Sequence, residues 1–218
     1  MLTADIEIRS PQQVRSRKSL EKVLAAGVAL LAERGYDGFS IADVSARSKV
    51  SVGSIYQRFP SKAVLFRALQ ERMLAFINAE QEALFDGIEA AKLDQGEAVD
   101  VAVRRVADHF RRHEPLLRVM IMRGAVDEET RTHGSVSVHI LARSFERFLG
   151  AAIPPSARGD AELAADMCFR IVYASLARRI LWGPTFESPM ELGWDTFVSE
   201  LARACRSYLL APAGAPAT

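Results

Sequence analysis

The stretch between Asp43 and Glu71 has the residue types of a surface that binds phosphates. Small polar side chains lie in its middle, at residues 51–57. Duplex DNA presents a dense row of phosphates and a major groove that admits a short helix. The stretch therefore indicates a segment that binds DNA. It contains no acidic residue and five cationic ones, Arg47, Lys49, Arg58, Lys62 and Arg67.

Charge is divided unevenly along the 218 residues. Residues 1–70 hold 11 Lys and Arg against 6 Asp and Glu, whereas residues 71–218 hold 17 against 21. A basic end on a mildly acidic remainder indicates that one part of the chain meets a polyanion and the other part does not. No stretch approaches the length that spans a bilayer, and the N-terminus lacks the apolar run of a signal peptide. We therefore expect a cytoplasmic protein without a membrane partner.

Apolar residues recur with a helical period in almost every segment, and β-branched alternation is missing. This pattern predicts an all-α fold of about nine helices. The first three form a helix-turn-helix domain over residues 15–61, and the others form a helical domain over residues 62–210.

Capping signals delimit the short helices of the first domain. Gly35 follows the first helix, where a left-handed residue is usual. Ser40 is the predicted N-cap of the second helix, and Asp43 lies three residues later, as in a capping box. Ser51 is the next predicted N-cap, and Pro60 ends the third helix.

The second and third helices form a helix-turn-helix. Placing Ile55 and Phe59 in the core directs Gly53 and Gln57 outward. A glycine inside a helix costs about 1 kcal/mol relative to alanine, so we interpret Gly53 as a point of close approach to a partner. Gln57 can make paired hydrogen bonds to adenine, and Val52 can contact a thymine methyl group.

Four further side chains are placed to contact phosphates, which adds affinity rather than sequence preference. They are Lys49, Tyr56, Arg58 and Lys62. The alternative is a solvated face on a short surface helix, since helix-turn-helix geometry also occurs in domains that do not bind DNA.

Residues Leu24 to Leu69 closely resemble the DNA-binding domain of the tetracycline-repressor (TetR) family. The resemblance is carried by residues 31–36 (LAERGY), 40–44 (SIADV) and 50–62 (VSVGSIYQRFPSK). It implies a dimeric regulator whose third helix enters the major groove of DNA. It also implies that the C-terminal domain dimerises and holds a pocket for a small molecule.

The resemblance also implies roles for individual positions. Two residues depart from the family pattern: Lys49 stands where a turn glycine is common, and Ala63 replaces an acidic residue. The base-reading positions are Val52, Gly53, Ser54 and Gln57. The phosphate-contacting positions are Ser40, Ser51, Tyr56, Arg58 and Lys62.

The last two helices carry apolar stripes that fit either a protomer core or an interface. The resemblance favours an interface, because these helices pair with their copies in the family. The residues that we predict there are Ala174, Ala177, Trp194, Leu201 and Tyr208.

Soft apolar and polar side chains are mixed in otherwise apolar helices of the second domain. Such a mixture usually indicates a core with arginines that reach solvent, and a ligand pocket is the alternative. The candidate pocket residues are Arg118, Met122, Met167, Arg170 and Tyr173.

His109 and His113 share one helical face with the spacing of metal ligands. No third ligand is evident in the sequence, so ordinary polar histidines are the favoured interpretation. No metal and no cofactor are therefore predicted. No catalytic constellation stands out either, and we expect a protein that is not an enzyme.

Together these patterns predict a transcriptional regulator that responds to a ligand. The leading hypothesis is a repressor that binds a palindromic operator in double-stranded DNA as a homodimer and is released by an unidentified small-molecule effector. One alternative is an activator, or a DNA-binding protein without an effector. A helical enzyme or adaptor is disfavoured by the missing catalytic set and the uneven charge.

Overall fold

The computed structural model describes residues 11–153 and 161–210. This part of the chain forms nine α-helices and no strand, so the prediction of an all-α fold with an N-terminal helix-turn-helix is confirmed. The chain is divided into two compact units, and the division lies between Met73 and Leu74. The functional division at residues 61 and 62 stays a prediction.

The first unit contains three complete helices and the start of a fourth. They are α1 (Pro11–Arg34), α2 (Ile41–Ser48), α3 (Val52–Tyr56) and α4 (Lys62–Glu82). α1 begins four residues before residue 15, where the predicted helix-turn-helix domain starts. Pro11 is tolerated at that first position because its missing N–H has no helical partner there.

The predicted caps of the first unit are present. Gly35 has a φ of 69° and its amide donates to the Leu31 carbonyl. The Asp43 amide donates to the Ser40 hydroxyl oxygen, and the Ser40 amide donates to the Asp43 carboxylate, which completes the capping box. The Ser54 amide donates to the Ser51 hydroxyl oxygen.

The core of the first unit is formed by apolar side chains from all four helices and the loop before α2. Ile55 and Phe59 are 1% and 8% exposed, as the pattern predicts. Burying these two side chains fixes the rotation of α3 about its axis, and the opposite face therefore lies in solvent.

The second unit contains the end of α4 and five further helices. Its core consists mainly of side chains from the first and the last three of these five helices, and partly buried side chains of the second pack against it. The first of the five packs against each of the last three. No helix in the described part of the chain is both long and apolar enough to cross a membrane. The helices are α5 (Gln95–Arg112), α6 (Glu114–Gly124), α7 (Glu128–Ala152), α8 (Ala161–Trp182) and α9 (Trp194–Leu209).

Candidate nucleic-acid interface and ligand cavity

The outer face of α3 consists of short or polar side chains. Around it, Gln57 is the C-terminal cap residue of α3, and Tyr56 is 49% exposed. All predicted base-reading residues are exposed, which leaves them accessible to a partner in the isolated chain. These residues are Val52, Gly53, Ser54 and Gln57.

Gly53 lies where a larger side chain would fit. A Cβ atom built at this position would meet no atom within 4 Å, and the backbone does not have a positive φ. Neither packing nor backbone conformation therefore requires glycine. This agrees with the interpretation that the position is kept open for a partner.

Lys49 closes the turn between α2 and α3 in the left-handed conformation. Its φ is 59°, and it is the single non-glycine residue with positive φ in the described part of the chain. Its amide donates to the Ser45 carbonyl at 3.0 Å, as in a left-handed helix cap. A lysine in this conformation costs about 1 kcal/mol or more relative to glycine. The side chain is exposed at the edge of the predicted DNA-binding face.

Several charged groups of the first unit are committed to ion pairs. The Arg47 guanidinium donates two hydrogen bonds of 2.7 Å to the Glu33 carboxylate. Arg34 pairs with Asp43 at 3.0 Å. The Ser40 hydroxyl, and then the Arg34 guanidinium, lower the pKa of Asp43 below its usual value. These pairs fasten α2 to α1.

The remaining predicted phosphate contacts are positioned by specific neighbours. Arg58 donates a hydrogen bond of 2.6 Å from Nη2 to the Ser16 hydroxyl of α1. Lys62, the first residue of α4, is half-buried, and its Nζ lies 4.7 Å from the Tyr36 ring centroid. Ser40 and Ser51 are exposed at the N-termini of α2 and α3.

A cavity of about 510 Å³ lies in the second unit. Its walls are mostly apolar, and Phe110, Met120 and Tyr173 belong to them. Burial raises the pKa of Tyr173 above its usual value. The polar part of the wall includes Gln81 and His109. A cavity of this size and lining is typical of sites that hold small organic molecules.

The five predicted pocket residues do not all line this cavity, and their role in a ligand site stays a prediction. Of the five candidates, Tyr173 lines the cavity. Met122 is 52% exposed, Arg118 pairs with Glu114 on the surface, and Met167 is 37% exposed. Arg170 is exposed and pairs with Asp166 at 2.6 Å. An arginine or methionine in an apolar helix has the same sequence pattern at a surface as at a cavity, so the pattern alone could not separate these positions.

The predicted interface residues differ in their exposure, and their role in an interface stays a prediction. Leu201 and Ala177 are each 9% exposed and belong to the core of the second unit, so they are covered within the protomer. Trp194 and Tyr208 are partly buried and pack against the same core. Ala174 is exposed.

An exposed apolar row lies on α8, and of its residues the sequence pattern had indicated Met167 for a pocket and Ala174 for an interface. The long helix is apolar on most of its faces, so periodicity could not separate the covered face from the uncovered one. The row consists of Leu163, Met167, Ile171 and Ala174.

A cluster of three side chains with metal-ligand chemistry is also present in the second unit. Glu80 of α4 approaches His109 of α5 and His113, the C-cap residue of α5, and the three offered ligand atoms all lie within 4.8 Å of one another. Burial, and then the charge of His113, lowers the pKa of His109 to about 4. The spacing of the two histidines is visible in the sequence, whereas the nearby carboxylate is not, because Glu80 lies on a different helix.

Comparison with known proteins agrees with this geometry. Residues 23–69 match the family described as bacterial regulatory proteins, tetR family. Over 75 residues the chain is 36% identical to the HTH-type transcriptional regulator CymR of Pseudomonas putida, a match that covers 34% of this chain and 37% of that protein.

Solved structures match over most of the chain. A putative TetR-family regulator from Mesorhizobium loti has a TM-score of 0.69 at 17% identity, covering 89% of this chain and 96% of that one. The regulator FadR of Bacillus subtilis, solved in complex with stearoyl-CoA, has a TM-score of 0.55 at 16% identity. The match covers 88% of this chain and 98% of that one. The fold and the helix-turn-helix thus define a class of helical regulatory proteins. Residues 23–69 match the DNA-binding domain of the tetR family, and the described part of the chain has the fold of solved TetR-family regulators.

Proposed function

We propose that the protein is a DNA-binding transcriptional regulator, and that it is a repressor released from its operator by a small molecule. The observation that carries the proposal is the outer face of α3, where Gly53 and Gln57 are exposed. An uncovered helix face with a glycine that packing does not require is best explained by close contact with a base edge or backbone of DNA.

Specific and nonspecific contacts are divided between two sets of residues. Val52 and Gln57 can reach base edges in the major groove, where thymine offers a methyl group and adenine a donor and an acceptor. Tyr56, Arg58 and Lys62 contact phosphates, which sets the position of α3 on the duplex.

The functional form is a homodimer on a palindromic operator. A single recognition helix of five residues reads too few bases for useful specificity, so two copies are needed. Copies related by a twofold axis read inverted half-sites, about 34–36 Å apart if one helical turn separates them. The exposed row on α8 supports this proposal, because Leu163, Met167 and Ile171 offer an apolar surface to a second copy.

The effector is a mostly apolar molecule with at least one hydrogen-bonding group. The apolar walls of the 510 Å³ cavity favour such a molecule, and Gln81 and His109 offer polar partners on one side. FadR of the same fold was solved in complex with stearoyl-CoA, which supports a ligand role for helical domains of this kind. An effector that binds one conformation of the dimer better than another alters its affinity for DNA.

Selection of duplexes from a random-sequence pool by the full chain tests this function. The expected product is an inverted repeat that the purified chain binds more tightly than scrambled DNA. If the selection enriches no sequence, the proposal of a specific DNA-binding regulator is contradicted. A thermal-shift screen of apolar compounds then identifies ligands. Compounds that stabilise the protein and weaken its binding to the repeat support the repressor role, whereas stabilisers that tighten binding support an activator.

A further inference from the structure

We propose that Glu80, His109 and His113 form a binding site for a divalent transition-metal ion of the Zn²⁺ class. The site joins α4 to α5 within the second unit. Two imidazoles and one carboxylate are a ligand set that Zn²⁺ uses in proteins, with a fourth position left for water or another ligand. This proposal does not rest on the proposed regulatory function.

The distances require shifts of up to roughly 1.4 Å, because the three ligand atoms lie within 4.8 Å of one another and would lie about 3.4 Å apart around a zinc ion. The Glu80 Oε2 atom lies 2.5 Å from His113 Nε2 and 3.9 Å from His109 Nδ1. Ligand atoms held about 2.0–2.2 Å from a tetrahedral zinc ion lie roughly 3.4 Å apart. A metal ion therefore needs the first pair to separate by about 1 Å and the second to close by a few tenths of an ångström.

His109 provides an independent indication of a ligand. The residue is 2% exposed, and its Nδ1 has no hydrogen-bond partner among the described residues. A buried polar atom left without a partner costs about 1–3 kcal/mol. The ion pair of Glu80 with His113 does not remove this cost, because Glu80 Oε2 is beyond hydrogen-bond distance of His109 Nδ1. A metal ion between the three side chains gives that nitrogen a partner.

Neighbouring residues can fix the imidazole of His109 in the form that binds metal. Its Nε2 lies 3.3 Å from the Gln81 side-chain amide, which in turn lies 3.3 Å from the Ser137 hydroxyl. Amide orientation is assigned from such networks. With the Gln81 oxygen toward His109, that oxygen accepts from Nε2–H and the Nδ1 lone pair faces Glu80. Ser137 then accepts from the Gln81 amide and donates to Asn78 at 2.6 Å. Metal-bound histidines usually have such a partner on the second nitrogen.

One cation competes with the metal ion. The Arg112 guanidinium lies 3.8 Å from the same Glu80 oxygen. Its side chain is 64% exposed, whereas that of Glu80 is 28% exposed. Arg112 can therefore move into solvent when a metal ion binds, and the partly exposed carboxylate gives the ion a path from solvent.

Titration of the chelator-treated full chain with ZnCl₂ tests the site by calorimetry. Co²⁺ provides a second measurement, because its visible absorption reports nitrogen and oxygen coordination. We expect one equivalent of either ion per chain and a higher melting temperature with Zn²⁺. Glu80→Gln and His113→Gln should each weaken binding by about 10–100-fold or more, since even loss of a residue that only supports a ligand has that effect.

Matched control variants distinguish metal binding at this site from metal binding by other carboxylates and histidines of the chain. Glu82→Gln on the same helix and His133→Gln on α7 make the same chemical changes at exposed positions, and both should bind Zn²⁺ as the unaltered chain does. Arg112→Gln should bind at least as tightly. Absence of a one-equivalent transition in the unaltered chain overturns the proposal, and so does unchanged affinity in both Glu80→Gln and His113→Gln. Melting temperatures of the metal-free variants identify any loss caused by misfolding.

Discussion

The ammonium group of Lys62 lies 4.7 Å from the centroid of the Tyr36 ring. The Phe39 ring lies at a similar distance of 4.8 Å, so two aromatic faces hold the first side chain of α4. A cation over an aromatic ring is stabilised by about 0.5–1 kcal/mol at an exposed site. The arrangement fixes the position of a charge near the helix N-terminus, where anions are favoured.

Lys62→Ala is expected to weaken binding to operator and to unrelated DNA alike. Loss of one phosphate contact should reduce the slope of log affinity against log salt concentration by about 1. Fluorescence anisotropy over a salt series measures this slope. Lys92→Ala, which removes the same charge in the second unit, should leave the slope unchanged. An unchanged slope for Lys62→Ala would exclude this lysine from the phosphate contacts.

Gln57→Ala is expected to relax discrimination at one base position, at a cost of about 1–3 kcal/mol on the preferred sequence. Tyr56→Phe, which removes a hydroxyl group from an adjacent exposed residue, should weaken binding to all sequences by a similar factor. Titration against the selected repeat and its single-base variants compares the two. If Gln57→Ala loses the same amount of binding affinity on every duplex, Gln57 reads no base.

Gly53→Ala separates stability from DNA binding. The new methyl group meets no atom of the protein within 4 Å, and alanine in a helix is favoured by about 0.5–1 kcal/mol. The variant should therefore unfold at equal or higher urea concentration while its affinity for the operator falls. Gly150→Ala on α7, also in open space, should gain stability without losing affinity. A Gly53→Ala protein with full affinity would refute close approach at this position.

Gly134→Leu is expected to prevent binding of the effector in the cavity without destabilising the fold. Gly134 is on α7 and lines the 510 Å³ cavity, and a Cβ there meets no atom within 4 Å. Leucine is also favoured over glycine in a helix by roughly 0.5–1 kcal/mol. The variant should keep its DNA affinity and lose the thermal shift caused by an effector. Gly150→Leu makes the same change outside this cavity and should keep the thermal shift caused by the effector. If Gly134→Leu also keeps this shift, the effector binds elsewhere.

Ile171→Glu is expected to dissociate the proposed dimer, because it introduces a charge into the exposed apolar row of α8. Sedimentation at micromolar concentration should then give a monomer. Val136→Glu, at a 54% exposed position on α7, serves as the matched control and should remain dimeric. A monomer in the unaltered chain contradicts both the dimer and the palindromic operator. Leu201→Glu should instead destabilise the protomer, because Leu201 belongs to its core.

The sequence alone determined the features that depend on neighbours within about one helical turn. Ser40 and Asp43 form their capping box, and Lys49 takes the left-handed turn at the position where the resemblance places glycine. The outward direction of Gly53 follows from the burial of Ile55 two residues later. Such relationships depend on hydrogen bonds and side-chain directions that are fixed by spacing along one helix.

Only the tertiary structure decided which groups from distant parts of the chain meet. Glu80 lies 33 residues before His113, and no period in the sequence brings their side chains to 2.5 Å. An apolar stripe likewise identifies a face to be covered but not what covers it. Leu201 was therefore predicted at an interface, although the core of its own protomer buries it. Local pattern fixes the direction of a side chain within its helix, and the packing of helices fixes what it contacts.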